Sequence, residues 1–221
     1  MNKYQLPFFT SFFRTDDTRY HSWFRYATQV YNAQAVSNDL RIPNTKSIFL
    51  KTTTQFDKKT HTIHDILTSA QKYSSKFVFI NSDIEIDIDD IFWDKIVEAS
   101  NHGIVMGHRF NYETSYNESS INANGVDFYI LNDKIIIPDD DNFCIGLCGW
   151  DWWIPYLAIQ QQIPVYRIDC PFLYHKIHPK QWSKESLAYI CDYMFKITGE
   201  IHDRQFKDNI VNQTIPLCKI N

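Results

Sequence analysis

The stretch FVFINSDIEID, residues 77–87, constrains the fold of this 221-residue chain more than any other segment. Its first four residues are apolar at successive positions, a pattern typical of a strand covered on both faces at the centre of a parallel sheet. Every second position after that run carries a polar side chain: Asn81, Asp83, Glu85 and Asp87. Since alternate residues of an extended strand point to one side, we expect these groups to gather in one place.

Strand-like and helix-like patterns alternate through the first half of the chain. Strand-like runs occupy residues 6–13, 47–50, 77–80 and 104–107. Patterns with helical spacing lie between them, at about 16–31, 63–73 and 89–101. This β-α-β-α-β-α-β order predicts a layered α/β fold with a mainly parallel sheet and right-handed crossovers.

The pattern changes after residue 110. VDFYIL (126–131) and KIIIP (134–138) predict a mixed or antiparallel extension of the sheet. We expect a short helix over 149–162, a strand over 164–169, and a final amphipathic helix over 183–198 that begins after Ser183 and stops at Gly199. The residues after that helix look like a peripheral tail.

Composition narrows the classes of function. The net charge of −4 gives no reason to expect a nucleic-acid partner. No segment approaches the roughly 20 apolar residues of a membrane span, and we interpret the N-terminus as the first strand rather than a signal peptide. We therefore expect a cytoplasmic protein, in the host cytosol if the chain is viral. The odd number of cysteines, five, favours free thiols over a disulfide framework.

Glycine placement argues against two large enzyme classes. Five of the six glycines lie between residues 103 and 149, and none lies in the segment directly after the first strand. A dinucleotide-binding GxGxxG turn or a phosphate-binding P-loop needs glycine there. A sugar nucleotidylyltransferase is disfavoured for the same reason, because FFTSFFRTDD (8–17) contains no glycine.

Asn81 and Asp83 lie where the central strand is expected to leave the sheet. Ligands of open α/β sheets bind beyond the carboxyl ends of the strands. Carboxylate oxygens suit Mg²⁺ or Mn²⁺, which proteins often hold with one or two carboxylates plus substrate phosphates. The alternative is a solvated acidic loop that caps the next helix, which we favour for residues 87–90.

The INSDIEI segment resembles the DxD-type motif of GT-A glycosyltransferases, in the variant with Asn at the first acidic position. A later pattern resembles some bacterial and large-DNA-virus members: a Gly-x-Asp strand, a proline, Phe-x-Ile-Gly, and a Gly-Trp-Asp tripeptide that opens a helix. Its positions here are Gly125, Asp127, Pro138, Phe143, Ile145, Gly146, Gly149, Trp150 and Asp151. The resemblance covers about residues 6–180. It implies a Rossmann-like GT-A fold with three α/β/α layers.

The resemblance also implies a division of the chain. Residues 1–221 would form a single domain, with a nucleotide-binding half to about residue 110 and an acceptor-binding half over about 111–182. A C-terminal helix and tail would follow over 183–221.

The implied site residues fall into four groups. The metal ligands would be Asp83 and His175. The nucleotide-sugar would be bound by Thr10, Ser11, Phe12, Arg14, Asn81, Ser82 and Arg109, the two arginines because a guanidinium matches phosphate oxygens. The acceptor would be bound by Asp127, Trp150 and Trp152. The catalytic residue would be Asp151.

Asp151 has the chemistry that sugar transfer needs. A base must take a proton from the acceptor hydroxyl as the anomeric carbon gains oxocarbenium character. Neighbouring tryptophans would keep Asp151 poorly hydrated and raise its proton affinity. The alternative is that Asp151 caps the helix and the tryptophans belong to the core. A buried structural hydrogen bond is the corresponding alternative for Asp127, and a structural strand histidine for His175.

We therefore expect an Mn²⁺- or Mg²⁺-dependent glycosyltransferase that moves a sugar from a UDP- or dTDP-linked donor to a hydroxyl of a glycan acceptor, with inversion. The alternative is a non-catalytic carbohydrate-binding protein on a degenerate glycosyltransferase scaffold. Asn81, which replaces an acid of the motif, keeps that alternative open.

Overall fold

The computed structural model describes residues 6–11, 32–37, 46–50, 53–56, 58–86, 90–177 and 182–218. The strands are β1 (Pro7–Ser11), β2 (Asn32–Ser37), β3 (Lys46–Phe49), β4 (Thr53–Gln55), β5 (Lys58–Thr60), β6 (Lys76–Ile80), β7 (Ile84–Ile86), β8 (Ile104–Tyr112), β9 (Ser120–Asn132), β10 (Val165–Ile168), β11 (Leu173–Lys176) and β12 (Ile215–Leu217). The α-helices are α1 (Ile63–Tyr73), α2 (Asp90–His102), α3 (Trp150–Gln160), α4 (Lys184–Thr198) and α5 (Arg204–Asn212).

The described strands build one large mixed sheet and a small hairpin of β4 and β5. The main path of the large sheet runs β3-β2-β1-β6-β9-β8-β10-β12. Its neighbours are parallel except around β9, which is antiparallel to both β6 and β8. β11 lies parallel to β8 and antiparallel to β7, and so forms a short ribbon beyond the main path.

β6 is buried on both faces. Phe77 and Phe79 belong to one apolar core, and Val78 and Ile80 belong to another. The first core lies between the sheet and α1, α3, α4 and α5, and the second lies between the sheet and α2. The fold therefore has three layers, with a mainly parallel sheet between two layers of helices, as the uninterrupted apolar run predicts.

Most predicted elements are present at close to the predicted positions. The helix expected over 63–73 has the same bounds and begins after Thr62, whose hydroxyl accepts from the Asp65 amide at 3.0 Å. α4 begins after Ser183 and ends at Gly199, where φ is +73°. The helix expected over about 16–31 lies outside the described residues.

The predicted strands differ from those of the structure. β2 was not predicted, because NAQAVS has neither an apolar run nor a strict alternation. The segment KIIIP does not form a strand. Instead, the side-chain amide of Gln161 both donates to and accepts from the backbone of Ile136, each at 2.8 Å, and so takes the place of a strand partner.

The C-terminal residues are not a peripheral tail. α5 contributes Phe206 and Ile210 to the core, and β12 extends the sheet by parallel pairing with β10. Arg167 of β10 reinforces this contact, since it donates to the carbonyl of Val211 at 2.7 Å and to the hydroxyl of Thr214 at 2.6 Å.

Among the described helices, none combines the length and the apolar character that crossing a membrane would require.

If α5 is part of the core, truncating its buried phenylalanine should destabilise the whole chain. We expect Phe206→Ala to lower the free energy of unfolding by about 3 kcal/mol or more, because it leaves a cavity. Phe195→Ala on α4 is the matched control, because Phe195 is 54% exposed; it should cost less than about 1 kcal/mol. Urea unfolding monitored by fluorescence measures both. Equal effects of the two substitutions would contradict the core position of α5.

Candidate functional site

Asn81, Arg109 and Asp127 connect three adjacent strands of the sheet. The backbone amide of Asn81, which follows β6, donates to the carbonyl of Asp127 in β9 at 3.0 Å. The side-chain amide of Asn81 donates to the Asp127 carboxylate. A guanidinium nitrogen of Arg109, from β8, donates to the second carboxylate oxygen at 2.6 Å. Both oxygens of this buried acid therefore have a donor, as a buried carboxylate requires.

Gly125 makes room for the arginine. A Cβ atom at this position would stand 2.6 Å from Nε of Arg109. Any larger residue would push the guanidinium away from its place beside Asp127.

Asp83 and His175 meet at the same edge of the sheet. Asp83 lies in the turn between β6 and β7, and the pairing of β11 with β7 brings His175 opposite Ile84. Nε2 of His175 is 3.5 Å from Oδ2 of Asp83. The other ring nitrogen is 3.2 Å from the side-chain oxygen of Asn111, which fixes the plane of the ring.

Asp151 lies in the first turn of α3, half-buried. α3 starts after Gly149, whose φ of +93° is in the region that favours glycine. The hydroxyl of Tyr129, from β9, donates to the backbone carbonyl of Asp151. The charges of both Asp151 and Asp127 raise the pKa of the Tyr129 hydroxyl, after the larger effect of burial. Tyr129 therefore lies between the helix start and the Asn81–Arg109–Asp127 cluster.

Burial raises the pKa of the Asp151 carboxyl to about 7, and the negative charge of Asp127 adds to the effect. Lys207 and Arg109 act in the opposite direction. Burial also raises the pKa of Asp127, where Arg109 opposes the shift and Asp83 adds to it. The three acids thus influence one another, with Asp127 coupled to the other two. Poor hydration of Asp151 agrees with the expectation from the sequence.

The donor set of Asp83 and His175 fits a divalent cation held in part by a substrate. One carboxylate oxygen and one imidazole nitrogen, 3.5 Å apart, can reach one ion. Within the described part of the chain, no group of three or more His, Cys, Asp or Glu residues could hold a metal ion. Two protein ligands leave the other positions to phosphate oxygens and water, the arrangement that Mg²⁺ commonly adopts.

The residues expected around the nucleotide are described only in part. Thr10 is buried at the end of β1, and its hydroxyl has no hydrogen-bond partner among the described residues. Ser11 ends the same strand, and Ser82 is half-buried in the turn before Asp83. Phe12 and Arg14 lie outside the described residues.

Trp150 and Trp152 cannot act as exposed platforms for a sugar. They are 3% and 1% exposed and belong to the core, where Trp150 packs against Phe79 with ring centroids 5.4 Å apart. The run of aromatic residues in GWDWW therefore serves packing, and the expectation that these two indoles bind the acceptor is wrong for this structure.

Glu85 does not join the polar cluster, contrary to the expectation from alternation. It accepts from the hydroxyl of Tyr112 at 2.8 Å and also from the hydroxyl of Tyr116. The turn at residues 81–83 interrupts the extended backbone, so the period of two does not continue from Asn81 to Glu85. Asp87 lies outside the described residues.

Two residues near the site were missed from the sequence. Asn111 orients His175, and Lys207 approaches Asp151 from α5. The position of Asn111, two residues after Arg109 on β8, would have indicated that both side chains share a face. No local signal distinguishes Lys207 from a solvated helix residue.

Neither the protein-family models nor the curated proteins include a match to this chain. Solved structures resemble it weakly. HddC from Yersinia pseudotuberculosis has 13% identity and a TM-score of 0.41, with 86% of this chain and 100% of that chain covered. A glycosyltransferase involved in the glycosylation of the major capsid of PBCV-1 has 11% identity and a TM-score of 0.41, with coverages of 84% and 98%. Rv0371c from Mycobacterium tuberculosis H37Rv has 8% identity and a TM-score of 0.44, with coverages of 87% and 100%. Because these TM-scores are low, we assign the α/β fold class from the sheet and helices of this chain and not from the similar structures.

The raised pKa of Asp151 predicts a stability effect of its removal. The folded-state pKa of about 7 lies above the ordinary value of 3.8, so the folded chain binds this proton more tightly. The stability from this group is fully present below the unfolded pKa and is lost as pH rises through about 7. We expect Asp151→Asn to be more stable than the parent at about pH 8, by an order of 2 kcal/mol, with the difference vanishing toward pH 4.

Urea unfolding of both proteins across this pH range measures the difference, and an equal change in Asp133→Asn, at an exposed turn position, would contradict it.

Proposed function

We propose that this protein is a glycosyltransferase that uses a nucleoside-diphosphate sugar as donor and a glycan hydroxyl as acceptor. One observation supports it above all: the Asp83–His175 pair and Asp151, an acid with a pKa of about 7 at the start of α3, are both electrostatically coupled to Asp127. The resemblance of INSDIEI and GWDWW to GT-A motifs gives these residues the corresponding roles.

Asp83 and His175 are the proposed ligands of Mn²⁺ or Mg²⁺. When bound, the cation supplies charge neutralisation for the leaving diphosphate. His175 presents Nε2 toward Asp83 because its other ring nitrogen faces Asn111. At metal-binding histidines, the hydrogen-bond partner of the second ring nitrogen usually fixes the plane of the ring in this way.

Arg109 is the proposed contact for the donor phosphates. Its side chain is 25% exposed, and one guanidinium nitrogen is committed to Asp127 at 2.6 Å. Asp127 then acts on the donor only through Arg109 and Asn81, which it positions. This differs from the acceptor-binding role expected from the sequence and follows from the burial of Asp127.

Asp151 is the proposed general base. A base works best when its pKa lies near the operating pH, and burial brings Asp151 to about 7. At neutral pH a substantial fraction of the Asp151 side chains is therefore in the carboxylate form, which can take the proton of the acceptor hydroxyl. Attack on the side of the sugar opposite the leaving diphosphate would give inversion of the anomeric centre.

Donor binding should depend on a divalent cation through Asp83. We expect a UDP- or dTDP-linked sugar to raise the melting temperature more with Mn²⁺ than without it, because Asp83 would hold a cation that neutralises the charge of the diphosphate. Asp83→Ala should lose the Mn²⁺-dependent part of this stabilisation. Thermal shift with a panel of nucleotide sugars measures the effect, and release of the free sugar over time identifies the donor.

Asp133→Ala is the matched control for that experiment, since Asp133 is exposed in the turn after β9. It should retain the full Mn²⁺-dependent shift. Stabilisation by free saccharide alone, without any response to nucleotide sugar and cation, would instead favour the carbohydrate-binding alternative.

Catalysis should depend on Asp151 without affecting donor affinity. We expect Asp151→Asn to lower the rate of transfer at least about 100-fold, the scale of general base catalysis, while the donor-induced thermal shift is unchanged. The anomeric configuration of the product, determined by NMR, should be inverted. A retained configuration would remove the base role from Asp151.

A further inference from the structure

α5 crosses α3 next to the helix start that carries Asp151. The rings of Tyr156 and Phe206 lie 5.7 Å apart, and Nζ of Lys207 lies 5.7 Å from the centre of the Trp152 ring. Trp152 and Tyr156 are four residues apart, so they share one face of α3. Nζ of Lys207 therefore lies beside the first turn of α3, over the ring of Trp152, the residue that follows Asp151.

The position of Lys207 is fixed by core packing. Phe206, the preceding residue, is 2% exposed, and Ile210, three residues after Lys207, is also 2% exposed. β12 then ties the end of α5 to the sheet through its pairing with β10. The backbone of Lys207 is thus held near α3 by buried neighbours on its own helix, and its side chain is half-buried. Salt screens a partly buried charge less than a fully exposed one.

Asp151 is surrounded by groups of both signs from several elements. From β9, the Asp127 carboxylate repels it, and the hydroxyl of Tyr129 donates to its backbone carbonyl. Its positive neighbours are Arg109 from β8 and Lys207 from α5. Arg109 is already bonded to Asp127 at 2.6 Å, so much of its charge is balanced there.

Lys207 is also electrostatically coupled to the thiol of Cys148 and to the imidazole of His202. Burial is the main cause of the raised pKa of Cys148 and of the lowered pKa of His202. Lys207 lowers the pKa of each of these groups, as a nearby positive charge does. The positive charge of Lys207 therefore acts on Cys148, just before α3, and on Asp151, the acid of the candidate site in the first turn of α3.

We propose that Lys207 is a positioning residue of the active site, whose ammonium group keeps Asp151 in the carboxylate form that can accept a proton at neutral pH. The catalytic consequence rests on the proposed function; the charge coupling does not. Burial and Asp127 both favour the protonated acid, which cannot act as a base. A cation placed by α5 offsets them, so the C-terminal segment completes the site electrostatically.

The test is a titration of Asp151 in the full chain without any ligand. The carboxyl signal is followed by ¹³C NMR and assigned by its loss in Asp151→Asn. We expect Lys207→Met, which keeps the length of the side chain, to shift the midpoint upward by about one pH unit, the lower end of the effect of a nearby charge. Lys207→Arg should restore most of the parent midpoint. Lys196→Met, at an exposed position of α4, should leave it unchanged.

The result that would overturn the proposal is a midpoint for Lys207→Met equal to that of the parent, in a protein whose melting temperature shows it to be folded. If Lys207→Met does not fold, Lys207→Gln and Lys207→Arg provide the same comparison, and equal midpoints in that neutral and charged pair would again overturn it.

Activity forms a separate arm of the experiment. With a donor that is turned over, the acidic limb of the pH profile of kcat/KM should move upward in Lys207→Met by the same amount as the NMR midpoint, and return in Lys207→Arg. An NMR shift without any transferase activity would retain the charge coupling and reject the proposed function. A transferase whose pH profile does not respond to Lys207 would reject the positioning role alone.

Discussion

The rest of the site depends on the hydrogen bonds that Asn81 and Arg109 donate to the buried carboxylate of Asp127. It is 5% exposed and receives hydrogen bonds from Arg109 and Asn81, which come from the two strands on either side of its own. Burying an unpaired carboxylate is strongly unfavourable, and removing one partner of a buried ion pair commonly costs about 3–5 kcal/mol. The strands β6, β8 and β9 are therefore held in a fixed relation at the edge where Asp83 and His175 also meet.

The carboxylate of Asp127 affects both the stability of the fold and the pKa of Asp151. Its negative charge raises the pKa of Asp151, while Asp83 raises the pKa of Asp127 itself. Acids within a small volume repel one another at neutral pH, and pKa values perturbed in this way cluster at functional sites. Arg109, His175 and Lys207 supply the compensating positive or ionisable groups, each from a different element of the fold.

Local patterns in the sequence predict the centre of the fold well. The apolar run at 77–80 identifies β6 because burial on both faces leaves no alternation, and α1 follows from its apolar residues at helical spacing. β2 and β12 were not predictable in this way. β2 is rich in Ala, Asn and Gln, and β12 is only three residues long with a proline at its centre. Their pairing depends on partners far away in the chain.

The motifs predict which residues of the candidate site lie together, while the roles of those residues stay predictions. Asp83, His175, Arg109, Asp127 and Asp151 come together across up to 92 residues of sequence, as the motif resemblance implies. The tryptophans next to Asp151 were misassigned, because sequence does not distinguish an aromatic core from an aromatic binding surface. Lys207 could not be identified, since its relation to Asp151 arises only when α5 packs on α3.

The most direct measurement of the central claim is a crystal structure with Mn²⁺ and the nucleoside diphosphate of the best donor, with data collected at the manganese absorption edge. The account predicts an anomalous peak at about 2.0–2.3 Å from both Oδ2 of Asp83 and Nε2 of His175, the range for N and O ligands of such ions. The diphosphate should complete the coordination, with Arg109 within hydrogen-bonding distance of a phosphate oxygen. Manganese bound elsewhere, with Asp83 and His175 still paired to each other, would contradict it.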